Sequence, residues 1–135
     1  MPSFSRDATA RTPEIQLDSD AGTLVIKGES YPEDVSSFFA SLSDAINAYF
    51  AASQQALNVA IKLTYFNSSS ARALMELLDL LDDAAKDGRA VSVDWFCDAD
   101  DDITREFAQD ISSDVAHITV TIADLAPEDM PADHS

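Results

Sequence analysis

The sequence predicts an α/β domain built on a mixed, mainly parallel sheet, with elements in the order β-β-α-β-α-β-α-β. Three observations carry this expectation. Segments of period-two alternation take turns with segments whose apolar residues recur at three- and four-residue spacings. Alternation of strand and helix places successive strands side by side in parallel, with the helices as crossovers. Neither an internal repeat nor a low-complexity linker interrupts residues 13–123, and a chain of 135 residues suits one domain. A domain of this size buries about two-thirds of the surface its unfolded chain exposes, enough for a core without staples.

The elements follow in order. Residues 1–12 are polar and aperiodic and read as a flexible N-terminal arm. Ile15 and Leu17 alternate with polar residues, and Leu24, Val25 and Ile26 follow across a turn-rich Asp18-to-Gly22 connection of hairpin type. Gly28-Glu29-Ser30-Tyr31-Pro32 ends the second strand. Pro32 suits a first helical turn, and Glu33 and Asp34 favour the positive end of the helix dipole. Val35, Phe38, Phe39, Leu42, Ile46, Tyr49 and Phe50 form one amphipathic stripe, expected to face the core. The next strand is Leu57 to Phe66, with Val59, Ile61, Leu63 and Tyr65 on one face and Asn58, Ala60, Lys62 and Thr64 on the other. A second helix is expected from Ser69 or Ser70, carrying Leu74, Met75, Leu77, Leu78, Leu80, Leu81, Ala84 and Ala85, and ending at Gly88. Val91, Val93 and Trp95 alternate as a strand. Asp98 to Asp102 then start a third helix with inner face Ile103, Phe107 and Ile111. His117 to Ile122 reads as the last strand, and residues 124–135, with Pro127, Pro131 and several acids, read as a disordered acidic tail.

Composition narrows the function. A net charge of −17 and a pI near 4.1 disfavour nucleic acid and anionic membrane surfaces as partners. The acidity keeps the chain soluble and can steer it toward a basic partner surface. Cys97 is the single cysteine, so no intrachain disulfide forms, which fits a reducing compartment. Met1 to Thr12 lacks an apolar signal region, and no run approaches ~18 apolar residues. A cytoplasmic location is expected.

The chemistry concentrates in Tyr65-Phe66-Asn67-Ser68-Ser69-Ser70-Ala71-Arg72. A β-forming run ends in Asn67, three hydroxyls follow, and an apolar helical pattern begins at once. Unpaired backbone N–H groups and the positive end of the helix dipole meet there, so a phosphate is tolerated. The cluster reads either as a plain helix cap or as a phosphoacceptor, with Arg72 one turn on as a candidate partner for the phosphate. Other chemistries find less support. The acidic run from Asp98 fails an EF-hand loop, with Ile103 and Gln109 where Gly and Glu belong. His117 and His134 lack ligand spacing for zinc, and Cys97 reads as a small packing residue. Three scattered glycines make no phosphate loop, and no serine sits in a nucleophile elbow. No cofactor, metal site or catalytic residue is expected. A small hydrolase using one of the serines is the rival reading from a different class.

The element order, with a serine cluster between the third strand and second helix, resembles the STAS domains of anti-sigma-factor antagonists. Asn67 and Ser70 stand where those domains carry aspartate and glycine in an Asp-Ser-Ser-Gly motif. The chain is more closely similar to the SiaC family of bacterial regulatory phosphoproteins. Four pieces carry the similarity: Thr12-Pro13-Glu14-Ile15, Gly28 to Glu33, Leu63-Thr64-Tyr65-Phe66-Asn67-Ser68-Ser69-Ser70, and Trp95-Phe96-Cys97-Asp98. It spans about Thr12 to Ile122. The resemblance implies a STAS-like, non-catalytic switch protein, modified on the residue after the asparagine, here Ser68, where the family usually has threonine. The general STAS pattern points instead to Ser69. It implies a serine/threonine kinase, a PP2C-like phosphatase, and a diguanylate cyclase that the unphosphorylated form binds and activates, raising cyclic di-GMP and promoting biofilm formation and aggregation. Tyr31, Glu29, Tyr65, Asn67, Ser69, Ser70 and Arg72 are the expected partner-binding residues. The runner-up function is an anti-sigma-factor antagonist that binds an anti-sigma serine kinase.

Overall fold

In a computed structural model, which describes residues 4–125, six strands form one sheet in sequential order: β1 (Phe4–Arg6), β2 (Glu14–Asp18), β3 (Thr23–Ser30), β4 (Leu57–Phe66), β5 (Val91–Cys97) and β6 (Thr119–Asp124). β2 is antiparallel to both β1 and β3, and β3 through β6 run parallel. Three crossover helices join the parallel strands: α1 (Val35–Ala52), α2 (Ser68–Lys86) and α3 (Asp102–Ser113). Each crossover advances one strand in the same direction, so right-handed connections put all three helices on one face. The expected α/β class and mixed, mainly parallel sheet are therefore observed.

The core lies between that face and the helices. Ile15, Leu17, Leu24, Ile26, Leu57, Val59, Ile61, Leu63, Val93, Trp95 and Cys97 are buried from the strands, and Leu42, Ile46, Tyr49, Leu74, Leu78 and Leu81 from α1 and α2. The hairpin into β3 turns at Gly22, whose φ of +69° and close approach to the Ala56 carbonyl leave no room for a Cβ. Two loops are tied by single side chains. The Arg89 guanidinium donates to the carbonyls of Phe50, Ser53 and Gln55 and stacks over the Phe50 ring, closing the end of α1. Asp82 accepts from the amides of Ala116, His117 and Ile118, fastening the entry to β6 onto α2. Burial pushes the Asp82 pKa up, but the three amide hydrogen bonds outweigh it and leave the carboxyl below its usual value.

The structure differs from the periodicity-based expectations at several places. The arm is not without structure, since Phe4–Arg6 pairs with β2. Pro32 stands outside α1, because Asp34 is the N-cap and accepts from the Ser37 amide at 3.0 Å. Tyr65 does not share a face with Leu63. Gly28 pairs with Leu63 and Glu29 with Tyr65, so Thr64 is an extra residue in β4. This bulge inverts the alternation, turning Phe66 inward against Trp95 and Phe107 and Tyr65 outward at 51% exposure. Ile103 is not on the inner face of α3. It is 82% exposed, and the helix packs through Ala108 and Ile111 with Phe107 half-buried. Finally, β6 runs to Asp124. The acidic tail expected beyond it, with His134, lies outside the described residues from 126 on.

Candidate functional site

The site grows from the joint between β4 and α2, at the carboxyl end of an interior strand. Asn67 leaves β4 in extended conformation and becomes the N-cap of α2. Its side-chain Oδ1 accepts from the Ser70 amide at 2.9 Å, its carbonyl accepts from the Ala71 amide at 2.9 Å, and its own amide donates to Ser30 at 3.2 Å. The helix thus starts at Ser68, one residue earlier than expected, because asparagine does the capping. Capping occupies the Ser70 amide. The amides of Ser68 and Ser69 have no acceptor among the described residues, as the first turn of a helix requires.

The three serines have different fates. Ser68 and Ser69 are exposed. Ser70 is fully buried and shares a 2.9 Å hydrogen bond with the equally buried Ser30 hydroxyl. Ser70 is therefore removed from the expected partner-binding surface. Its hydroxyl lies on the inward side of α2, where it clamps the end of β3 to the helix. Arg72 is exposed, has no carboxylate partner among the described residues, and borders a shallow hollow with Val35, Ser68 and Ser69.

The other expected residues gather at the same end of the sheet. Tyr31 and Tyr65 meet edge to face with ring centroids 5.6 Å apart. Glu29, exposed, is the register partner of Tyr65. The Tyr31 amide donates to the Arg11 carbonyl at 2.7 Å, and Arg11 pairs with Glu33. The N-terminal segment thus braces the loop that carries Tyr31.

The structure adds residues that sequence reading missed. A groove of about 340 Å³ runs between the starts of α2 and α3, with Tyr65, Phe66, Asn67, Ser68 and Ala71 on one wall and Asp101, Ile103, Thr104 and Phe107 on the other. Further along the same seam, Met75, Leu78, Ile111 and Val115 border a second hollow of about 170 Å³.

No catalytic constellation joins these residues. Burial raises the Cys97 pKa, which keeps its thiol protonated and unreactive. Among the described residues, no group of His, Cys, Asp or Glu is arranged to hold a metal ion, and no helix is long and apolar enough to cross a membrane.

Comparisons with known proteins agree with this geometry. A family described as SiaC family regulatory phosphoprotein matches residues 6–125. The uncharacterized protein PA14_02130 of Pseudomonas aeruginosa (strain UCBPP-PA14) is 38% identical over 106 residues, covering 78% of this chain and 84% of that protein. The crystal structure of apo-SiaC from Pseudomonas aeruginosa superposes with a TM-score of 0.82 at 34% identity, covering 91% of this chain and 99% of that one. A chain from the crystal structure of the diguanylate cyclase SiaD in complex with its activator SiaC, also from Pseudomonas aeruginosa, superposes with a TM-score of 0.84 at 34% identity, covering 90% and 99%. On the extent of the family match and these likenesses, the chain belongs to the SiaC family of regulatory phosphoproteins.

Proposed function

We propose that this chain is a cytoplasmic, non-catalytic partner switch. Its unphosphorylated form binds and activates a diguanylate cyclase, raising cyclic di-GMP and favouring biofilm formation and aggregation. A serine/threonine kinase adds a phosphate to Ser68 and a PP2C-like phosphatase removes it. Ser69 is the second-choice acceptor. Tyr31, Glu29, Tyr65, Asn67, Ser69 and Arg72 form the docking surface around it.

The observation that carries this reading is the exposed Ser68 hydroxyl at the first position of α2, in a family of regulatory phosphoproteins. The likeness to an activator bound to a diguanylate cyclase supports the choice of partner. The chemistry supports reversible charging. A phosphate brings about −1.5 to −2 charges. The unengaged amides of Ser68 and Ser69, the dipole of α2 and the Arg72 guanidinium, one turn on, all favour an anion there. Phosphorylation therefore leaves the fold intact, and its cost falls on whatever docks. A cost of about 3 kcal/mol for covering a phosphate in a contact is a factor of roughly 100 in affinity.

The test is phosphorylation by the cognate kinase with ATP, followed by peptide mapping in a mass spectrometer. Phosphate is expected on Ser68. Phosphate found only outside Ser68 and Ser69 would falsify the assignment. A pull-down from native cells identifies the output, and recovery of an anti-sigma kinase in place of a cyclase replaces the cyclase reading with the transcriptional one.

A further inference from the structure

We propose that the face of the sheet opposite the helices is a docking surface for the chain's own acidic C-terminal segment, residues 126–135, with Glu128 and Asp129 set against Lys27 and Lys62. This docking is separate from the Ser68 switch and does not rest on it.

All three helices lie on one face, so the side chains that alternate with the core residues of β2 to β6 point away from them. That second face is not evenly polar. Glu14, Lys27 and Lys62 follow one another in register across β2, β3 and β4. Phe96 continues the row, one step beyond the Ile61–Trp95 pair, with Ala123 beside it on β6. The Lys62 Nζ lies 5.3 Å from the centre of the Phe96 ring. Val25 and Ala60 pair in the adjoining row. Val25 and Phe96 are half-buried, yet neither belongs to the core between sheet and helices.

The charge of this row runs against that of the chain. Eight basic residues stand against 25 acidic ones, and two of the eight are placed side by side here. Lys27 and Lys62 are the only cations that β2 to β6 put on this face. Neighbouring ammonium groups repel, and nearby carboxylates relieve the repulsion. Glu14 beside Lys27 and Asp94 one row from Lys62 answer part of it. An ammonium offers three donors, so a lysine engaged by one neighbour still holds a second carboxylate.

Reach and composition identify the occupant. Leu125 donates its amide to the Cys97 carbonyl at 2.8 Å, so residue 126 starts at the carboxyl ends of β5 and β6. From Leu125, Lys62 is two strands across and two residues back, about 12 Å away, and Lys27 is about 16 Å away. Extended chain covers about 3.3 Å per residue, so Glu128 and Asp129 reach about 10 and 13 Å, and the long lysine stems close the remainder. Pro127-Glu128-Asp129-Met130-Pro131 sets two carboxylates and a thioether between two prolines. The carboxylates suit the lysines, and the Met130 thioether suits the Phe96 ring. The prolines reduce the freedom lost on docking. A polar, acidic segment has no core of its own, and a folded face supplies one. The family match stops at residue 125, so this segment lies beyond the shared domain. Tethering decides between occupants. A second copy or a separate acidic peptide meets the repulsion of a charge of −17, whereas a segment held at Leu125 acts at a millimolar effective concentration.

The test uses the full chain with Ala132→Cys carrying a nitroxide, because Cys97 is buried and its thiol unreactive. The amide signals of Lys27, Lys62 and Thr121 are expected to broaden, while those of Glu76 and Asp79 on the exposed side of α2 stay sharp. Glu128→Lys with Asp129→Lys should abolish the broadening, and adding Lys27→Glu with Lys62→Glu should restore it. The substitutions at 128 and 129 fall outside the sheet, so they decide the question even where the strand pair unfolds. Equal broadening on both faces overturns the docking, as does broadening that survives Glu128→Lys with Asp129→Lys. Broadening transferred from nitroxide-bearing chains to isotope-enriched chains without the label gives the face to a second copy and overturns it too.

Discussion

The two ends of α2 make a useful contrast. At its C-terminal end lies the larger hollow, about 830 Å³, between α1 and α2 and bordered by Glu76, Asp79, Asp83, Asp87 and Arg89. At its N-terminal end the groove has less than half that volume. Volume alone would choose the first. The chemistry chooses the second. At the C-terminal end the arginine lining the hollow is consumed, because Arg89 holds three carbonyls and lies over Phe50, and the carboxylates stand as a solvated face. At the N-terminal end, helix-start amides, an exposed hydroxyl, an arginine with no carboxylate partner among the described residues and exposed apolar side chains meet. A functional surface is recognised by what the fold leaves unspent.

This contrast can be challenged experimentally. The largest expected effect is on partner affinity. Ser68→Asp should weaken binding of the cyclase by roughly 100-fold, as a cost near 3 kcal/mol implies. Asp83→Asn at the other end should leave it within about twofold. Titration calorimetry with both variants reads the difference, and equal losses at the two ends would dissolve the distinction.

Next comes stability. Arg89→Ala should destabilise the domain by about 2 kcal/mol, because it strands carbonyls at the end of α1. Asn67→Ala should cost about 1 kcal/mol through loss of the α2 cap. Urea unfolding measures both. The C-terminal substitution should leave cyclase affinity unchanged once folding is accounted for.

The smallest effect concerns pH. The folded-state pKa of Asp82 lies below its unfolded value, so the unfolded chain binds the proton more readily. Its stabilising contribution is fully present above the unfolded pKa and is lost as pH falls through the lower folded one. The stability gap between wild type and Asp82→Asn should be widest above about pH 4 and narrow below it. A gap that grows on acidification would reverse the assigned direction.

Much of this arrangement was legible in the sequence. The strand–helix order follows from apolar spacing over a few residues, and the serine-bearing joint follows from Asn67 preceding a helical pattern. These are local properties, set by which neighbours along the chain share a face. The family likeness pointed to the same joint through the Tyr65-to-Ser70 segment. The fate of each serine was less legible. Ser68 and Ser70 differ by two positions on one helix, and their exposure depends on where that helix lies over β3.

Local sequence thus accounts for the α/β layering, the capped joint and the acidic, single-cysteine character of the chain. Long-range packing settled what the joint presents. The extra residue at Thr64, opposite Gly28 on the neighbouring strand, turned Tyr65 outward beside Tyr31. α3 is anchored through Ala108 and Ile111, and Ile103 stands clear of the core although its spacing matches a buried position. Periodicity records which residues can face a layer together. Whether a layer reaches them depends on contacts between elements far apart in the chain.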